Sequence, residues 1–193
     1  RQFNEKVDIK LKENYKIINI ARLSKRQKQQ HLLVKAFLLL NEDFDNWKLE
    51  LWGPTEDKNY CTEIEHIIKE NNLEERIVLC GATNDVEGVM RGADIFCMPS
   101  MYEGFPISLG EAMSIGLPVI GIKECLAVND LIKDKETGLL CHNNPEDIAN
   151  KLKMLMSNVE LRRKLGTAAH SEMKQYDSNE VWDRWDKLIK SLK

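Results

Sequence analysis

The chain has 193 residues, and its 28 lysines and arginines against 31 aspartates and glutamates give a formal net charge of −3. This balance gives no electrostatic reason to expect nucleic acid as a partner. With 42% hydrophobic and 31% charged residues, the composition is typical of a soluble globular domain. The longest apolar run, residues 36–40, is too short to cross a bilayer, and no segment resembles a signal peptide.

The predicted elements alternate between strands and helices through most of the chain. Six short apolar runs, rich in Ile, Leu and Val, are predicted to be strands covered on both faces: Lys16–Ile20, Trp47–Trp52, Ile77–Cys80, Asp94–Met98, Pro118–Ile122 and Gly138–Cys141. Amphipathic stretches near residues 29–40, 57–71, 84–91, 106–115 and 127–133 are predicted to be helices. The alternation predicts an α/β fold, a doubly wound parallel β-sheet of Rossmann-like type, forming a single domain over residues 1–193.

From residue 145 onward the pattern predicts helices only. Asn144 and Pro145 are typical of a helix start, and a second helix follows over residues 161–169. The third helix, within residues 177–193, carries an apolar stripe that includes Trp182 and Trp185. We expect this stripe to pack in the core of the domain. The alternative is that it packs toward a part of the protein outside this chain.

The cysteines predict neither a metal site nor a disulfide framework. They are five in number, no two have the C-x-x-C spacing, and three lie in apolar strand-like runs. A reducing, cytoplasmic environment is therefore expected. Because the chain begins with Arg1 instead of Met, we also expect a fragment of a longer protein.

Residues 100–112 combine two carboxylates with the signals of a helix start. Gly104 is expected to permit an unusual backbone turn, and Pro106 to occupy the first helical position. Glu103 would then precede the helix, and Glu111 would lie about a turn and a half inside it. The free amides of the first turn, between the two acids, can receive an anion. Two hydroxyl acceptors flanking an anion site fit a ligand made of sugar, diphosphate and ribose, which is a nucleotide sugar.

The loop after the first predicted strand, residues 21–28, has four cations in seven positions. Arg22, with its forked guanidinium, and Lys28, as a point charge, can hold a diphosphate. Ligands of open parallel sheets bind beyond the carboxyl ends of the strands, so this loop and residues 100–112 are expected to meet there. The alternative is a solvated basic loop without a ligand.

Several motifs, in the same order, resemble those of family 4 (group 1) glycosyltransferases. These are Arg22 and Lys28 with the helix over residues 32–37, the run 93–100, the pair Glu103 and Glu111 spaced as in the Glu-x7-Glu signature, and residues 116–120 and 137–140. The resemblance covers the chain from about residue 15 to its end. It implies the GT-B fold of two facing Rossmann-like domains, in which this chain is similar to the C-terminal, donor-binding domain with extra C-terminal helices.

The resemblance also implies roles for individual residues of this sequence. Glu103 would be the catalytic residue facing the donor sugar, and Arg22 and Lys28 would contact the diphosphate. Glu111 would accept hydrogen bonds from the ribose hydroxyls. The remaining donor-site residues are Gly104, Phe105 and Pro106 beside sugar and phosphate, and Gly81 and Thr83 near the base.

For the reaction, the resemblance implies retaining transfer of a hexosyl residue without a clear protein nucleophile. No metal or other cofactor is expected. The implied donor is a UDP-sugar, with a GDP-sugar second, and the acceptor belongs to a polysaccharide, capsule or lipopolysaccharide. The acceptor-binding domain would be the N-terminal half of the same full-length protein, acting in the cytoplasm with possible peripheral association at the inner membrane face.

Three positions depart from the family pattern. Ala21 and Gln29 stand where glycine is frequent, and residues 124–129 replace a common glycine-rich turn that often supplies amides to the donor. The donor contacts of that turn are therefore open.

Three other functions use part of the same evidence. Paired carboxylates also occur in glycosidases, but there both acids converge on one glycosidic bond, whereas here an anion site separates them. A nucleotide-sugar 2-epimerase has the same fold, although the Glu-x7-Glu spacing argues against it. A module that binds a nucleotide sugar without transferring it stays open.

Two further patterns are interpreted as structural. Asp43-Phe44-Asp45 matches the D-x-D metal motif of another glycosyltransferase fold, but it lies between a predicted helix and the start of a strand, where a solvated turn is expected. The four histidines are scattered along the sequence, so none is predicted to be a metal ligand.

Overall fold

The computed structural model describes residues 11–192. Its centre is a sheet of six parallel strands, paired in the order β3-β2-β1-β4-β5-β6. The strands are β1 Tyr15–Ile20, β2 Trp47–Trp52, β3 Ile77–Gly81, β4 Ile95–Met98, β5 Val119–Ile122 and β6 Leu139–Cys141. The predicted doubly wound parallel sheet is confirmed, and each predicted strand is present with bounds that differ by at most one residue at either end.

Helices cover both faces of this sheet and continue past its last strand. They are α1 Gln30–Leu38, α2 Lys58–Glu70, α3 Val86–Arg91, α4 Ile107–Ser114, α5 Leu126–Asn129, α6 Pro145–Met156, α7 Val159–Met173 and α8 Ser178–Ser191, with a 3₁₀ turn at Lys174–Tyr176. The helix predicted over residues 127–133 is much shorter, since α5 ends at Asn129.

The strands have apolar side chains on both faces of the sheet. Ile17 and Ile18 are adjacent in β1 and point to opposite faces, yet both are fully buried, as are Ile95 and Phe96 in β4. Helices on the two faces bury such strands, which is why their sequences lack polar alternation.

A buried arginine anchors the C-terminal helices to the sheet. The guanidinium of Arg162 in α7 lies over the rings of Tyr15 and Trp47, at 4.9 and 5.3 Å from their centroids. Its Nη1 donates to the carbonyl oxygens of Leu155 and Met156 at the end of α6. Burial lowers the pKa of this arginine, so the interaction with two aromatic faces and two carbonyls offsets the cost of removing a charge from water.

The helix α8 does not pack as expected. None of its residues is buried, and the exposed fractions of Trp182 and Trp185 are 71% and 54%. The prediction that this stripe packs in the core of the domain is therefore wrong. Helical periodicity identifies an apolar face but not what covers it.

The strand order reverses between β1 and β4. The helices after β1 and β2 lie on one face of the sheet, and the helices after β4 and β5 lie on the other. The loops after β1 and β4 therefore diverge and leave a crevice at the carboxyl edge of the sheet. The first loop runs from residue 21 to 29 and the second from residue 99 to 106.

Candidate functional site

The two loops at the strand-order reversal are joined by hydrogen bonds. The backbone amide of Met101 donates to the carbonyl oxygen of Gln27 over 2.8 Å. The side chain of Gln27 donates through Nε2 to the carbonyl oxygen of Tyr102 over 3.2 Å. The basic loop and the loop that carries Glu103 therefore meet at one edge of the sheet, as the sequence predicts.

At this junction Lys28 and Glu103 form an ion pair. The Lys28 Nζ lies 2.6 Å from Glu103 Oε1, and the side chains are only 15% and 8% exposed. Removing two charges from water costs free energy, and this cost is offset only if the charges interact with each other. The basic loop is therefore not only a solvated surface, because its Lys28 side chain lies in the crevice and binds Glu103.

The ion pair forms one wall of a cavity of about 310 Å³. Glu111, partly buried on α4, lines the same cavity together with Ser108 from the first turn of that helix. No side chain caps the start of α4, and the Ile107 amide donates to the carbonyl oxygen of Phe105, so the next amides of the first turn are available to an anion. The full lining is Ile20, Ala21, Lys28, Met98, Glu103, Phe105, Pro106, Ile107, Ser108 and Glu111.

Arg22 lines a second, smaller cavity of about 190 Å³. Thr83 is also in its wall, together with Ala82, while Gly81 ends β3 beside it with φ of +71°. The two cavities share Ile20 and Ala21, the carboxyl end of β1. A ligand that fills both must therefore pass over the end of this central strand.

Gly53 allows the floor of the second cavity to approach the first loop. Its φ is +148°, and a Cβ atom built on it would lie 2.0 Å from the carbonyl oxygen of Ala21. Only glycine accepts both that conformation and that distance. Gly53 is not among the residues predicted from the sequence, although a glycine directly after a strand is a recognisable signal of close backbone approach.

Two expectations at the start of α4 are wrong. Pro106 is the N-cap residue and α4 begins at Ile107, so Glu111 lies about one turn inside the helix. Gly104 does not have a positive φ, and a Cβ atom built on it would meet no atom within 4 Å. The turn before α4 is therefore made without an unusual conformation at Gly104.

Gln29 has the conformation that glycine usually supplies. Its φ is +51° and ψ +35°, in the left-handed region, at the cap of α1. Its side-chain oxygen is buried without a hydrogen-bond partner. Gln29 therefore has a left-handed backbone conformation although it is not glycine.

The unusual turn after β5 packs against the end of β6 and close to Glu103. His142 Nδ1 lies 2.9 Å from Glu124 Oε1. Burial opposes ionisation of Glu124, yet the hydrogen bond from His142 and those from backbone amides lower its pKa overall. Burial, with the nearby charge of Glu103, raises the pKa of the Cys125 thiol. This turn thus contains a carboxylate paired with a histidine and a buried thiol.

Three buried or partly buried amide side chains were missed by the sequence analysis: Asn19, Gln27 and Gln30. Asn19 donates from β1 to the carbonyl oxygen of Cys97 in β4 over 2.8 Å, across the strand pair where the order reverses. A polar residue inside an otherwise apolar strand was the available signal for Asn19. Gln27 and Gln30 lie in a polar segment, where nothing distinguishes them from solvated residues.

The interpretation of the D-x-D motif agrees with the structure. Asp43 lies in the turn between α1 and β2, at the edge opposite the crevice, and pairs with Lys153 over 3.1 Å. Within residues 11–192, no three His, Cys, Asp or Glu side chains are grouped to hold a metal ion. All five cysteines are free.

The family follows from a match to known sequences. A model of the glycosyl transferases group 1 family matches residues 1–172. The chain belongs to this family. Its residues Arg22, Lys28, Glu103 and Glu111 all lie within the matched range.

Similar proteins extend beyond this chain. One relative is the N-acetylgalactosamine-N,N'-diacetylbacillosaminyl-diphospho-undecaprenol 4-alpha-N-acetylgalactosaminyltransferase of Campylobacter jejuni. The two sequences are 30% identical over 175 residues, and this alignment covers 90% of this chain and 46% of that enzyme. The chain spans about half or less of the length of the curated relatives that match most of it, from 49% down to 17%. No helix among residues 11–192 is long and apolar enough to traverse a bilayer.

Two solved structures have the same fold. The C-terminal domain of the group 1 glycosyl transferase LpcC from Francisella tularensis superposes with a TM-score of 0.75 at 26% identity, over 83% of this chain and 85% of that domain. HepE from Anabaena, in complex with UDP and glucose, superposes with a TM-score of 0.83 at 22% identity, over 93% of this chain and 49% of HepE.

Proposed function

We propose that this chain is the C-terminal, donor-binding domain of a family 4 glycosyltransferase of GT-B fold. The observation that carries the proposal is the shielded pair Lys28–Glu103, which faces Glu111 across one cavity at the strand-order reversal. A diphosphate needs cations and free amides, and sugar and ribose need hydroxyl acceptors, so the cavity has groups for each part of a nucleotide sugar. The likeness to the isolated LpcC domain supports the assignment to the C-terminal half.

In this proposal Lys28 and Arg22 bind the diphosphate, and Glu111 accepts hydrogen bonds from ribose. Glu103 faces the donor sugar, next to the backbone of Gly104 and Phe105. The second cavity, with Ala82 and Thr83 in its wall, receives the base. Arg22 and Lys28 line different cavities that share the end of β1, which fits a diphosphate lying between base and sugar.

The cations contribute to rate as well as to binding. When the bond between the sugar and the diphosphate breaks, negative charge grows on the leaving oxygen. Lys28, Arg22 and the first amides of α4 stabilise that charge more in the transition state than in the bound donor. Glu103 is the acid that faces the sugar, and Lys28 pairs with it at the cavity wall. The acceptor hydroxyl attacks on the face of the leaving group, so the anomeric configuration is retained.

For the donor we propose a UDP-hexose first and a GDP-hexose second. The complex of HepE with UDP supports UDP. For the acceptor we propose a polysaccharide, capsule or lipopolysaccharide precursor, and the diphospho-undecaprenol acceptor named for the Campylobacter jejuni relative supports a lipid-linked one. Transfer would then take place in the cytoplasm, at the inner face of the membrane.

The acceptor-binding domain is proposed to be the N-terminal half of the full-length protein, and α8 to dock on it. Four large apolar residues of α8 and the leucine directly after it are each at least half exposed: Trp182, Trp185, Leu188, Ile189 and Leu192. Such a stripe on one helix is a large apolar surface to leave in water. Because the chain spans about half of its relatives, a second domain is available to cover it.

Calorimetric titration of the full-length protein with UDP and GDP tests the proposal. One nucleotide should bind, and Glu111→Ala and the double change Arg22→Ala/Lys28→Ala should each weaken it by ~1.5–3 kcal/mol, the value of a lost charge-assisted hydrogen bond. If neither nucleotide binds at millimolar concentration, the proposal is wrong. Incubation with the matching nucleotide sugar and acceptor, followed by NMR of the anomeric centre, separates retaining transfer from binding without transfer.

A further inference from the structure

Gln27 contacts both loops of the crevice with a single side chain. Its Oε1 accepts from Arg22 Nη2 over 2.8 Å, and its Nε2 donates to the carbonyl oxygen of Tyr102 over 3.2 Å. Tyr102 directly precedes Glu103. One amide group therefore links the guanidinium of the first loop to the backbone beside the carboxylate of the second.

Arg22 needs such a partner because its side chain is exposed. A free arginine side chain samples many rotamers and loses that freedom when it binds a ligand. Only one of the five N–H donors of its guanidinium faces Gln27 in the structure, which leaves a bidentate edge for another acceptor. Holding the side chain beforehand reduces the entropy that binding must remove.

The backbone of Arg22 is held by a different side chain, that of Gln30. Gln30 is fully buried, and its Nε2 donates to the carbonyl oxygen of Arg22 over 3.0 Å. Its Oε1 accepts from the amide of Ser24 over 3.2 Å. Loss of the Gln27 side chain should therefore leave the loop backbone in place and release the guanidinium alone.

We infer that Gln27 is a positioning residue, which orients Arg22 toward the diphosphate of the donor and aligns it with the Glu103 loop. The inference rests on the proposed function, since it requires that Arg22 binds the donor. Gln27 itself makes no contact with the ligand. It acts through Arg22, so its effect on binding disappears when Arg22 is removed.

The test is a double-mutant cycle on UDP affinity in the full-length protein. Gln27→Met keeps the length and packing of the side chain but removes both of its hydrogen bonds, while the backbone bond to Met101 stays. We expect Gln27→Met to weaken UDP about two- to tenfold, which corresponds to the ordering of one long side chain. In the Arg22→Ala background, Gln27→Met should have no further effect.

Two control measurements and one outcome of the cycle make the test specific. Gln175→Met, the same change on an exposed glutamine outside the crevice, should leave UDP affinity at the wild-type value. Thermal unfolding should show Gln27→Met to be as stable as Gln175→Met. Equal weakening by Gln27→Met with and without Arg22 would overturn the inference, because Gln27 would then act directly or through the fold.

The outcomes also separate this inference from the proposed function. If UDP binds and Arg22→Ala weakens it, but Gln27→Met binds like wild type, the positioning role is wrong and the donor site stands. If the wild-type protein binds neither UDP nor GDP, the donor site itself is wrong.

Discussion

Lys28 and Glu103 are 75 residues apart in sequence, yet Lys28 Nζ lies 2.6 Å from Glu103 Oε1 in the wall of the larger cavity. Each is proposed to face the donor, one at the diphosphate and the other at the sugar. In the structure their opposite charges are paired with each other. A diphosphate that enters the cavity must therefore share Lys28 with Glu103, which makes the two roles separable by mutation.

Glu103→Gln separates them. The glutamine keeps the shape of the side chain but removes the charge that competes for Lys28, so UDP should bind at least as tightly as to wild type. Transfer by the full-length enzyme should fall by about 10²-fold or more, because the group facing the reacting sugar has lost its charge. Calorimetry with UDP and a transfer assay measure the two effects. Weaker UDP binding together with unchanged transfer would contradict the assignment.

Glu111→Gln tests the ribose contact. The change should weaken UDP by ~1.5–3 kcal/mol, since a carboxylate acceptor is replaced by a neutral one. 2′-Deoxy-UDP should bind the wild type more weakly than UDP does, and the variant should discriminate less between the two nucleotides. Glu75→Gln is the matched control, because Glu75 is exposed just before β3, at the opposite edge of the sheet. If Glu111→Gln and Glu75→Gln behave alike, the ribose assignment fails.

Gly104→Ala tests whether a ligand approaches the backbone before α4. A Cβ atom there meets no protein atom within 4 Å, and φ is not positive, so the fold has room for it. Stability should rise by about 0.4–1 kcal/mol, because alanine restricts the unfolded chain. Affinity for the nucleotide sugar should nonetheless fall, since the methyl group occupies space beside the sugar. Urea unfolding and calorimetry measure both, and unchanged affinity would show that the donor does not reach Gly104.

The sheet could be predicted from the sequence because buried parallel strands are apolar on both faces. The runs around Ile17 and Ile95 show this directly. The loops that carry Lys28 and Glu103 were predicted to meet because each follows the carboxyl end of a parallel strand. The contact between Lys28 and Glu103 has no local signal, since it depends on how two loops approach each other in space.

Backbone conformation was less predictable. Glycine permits an unusual φ but does not require one, so Gly104 was assigned a turn that it does not make, while Gln29 has the left-handed conformation without a glycine. The stripe on α8 was predicted correctly as a helical face, but the pattern did not indicate that this face is exposed.

Gln29→Gly follows from the left-handed conformation at the cap of α1. A non-glycine residue in this region is strained by roughly 1 kcal/mol, which glycine avoids, although glycine loses more backbone entropy on folding. The glutamine also has a buried side-chain oxygen without a partner, and glycine removes it. We expect a net gain of about 0.5–1 kcal/mol in the free energy of unfolding, measured by urea denaturation. Gln27→Gly, in the same loop but without a positive φ, should instead destabilise the protein.

Trp185→Ala tests the docking of α8, with Trp47→Ala as its counterpart in the core. Trp185 is 54% exposed and Trp47 is 1% exposed in residues 11–192. In the isolated chain Trp185→Ala should change the free energy of unfolding by no more than about 0.5 kcal/mol, whereas Trp47→Ala should cost about 3–5 kcal/mol. In the full-length protein Trp185→Ala should also become destabilising, by more than about 1 kcal/mol, because the indole is then buried against the N-terminal half. Equal, negligible effects of Trp185→Ala in both proteins would show that α8 stays uncovered.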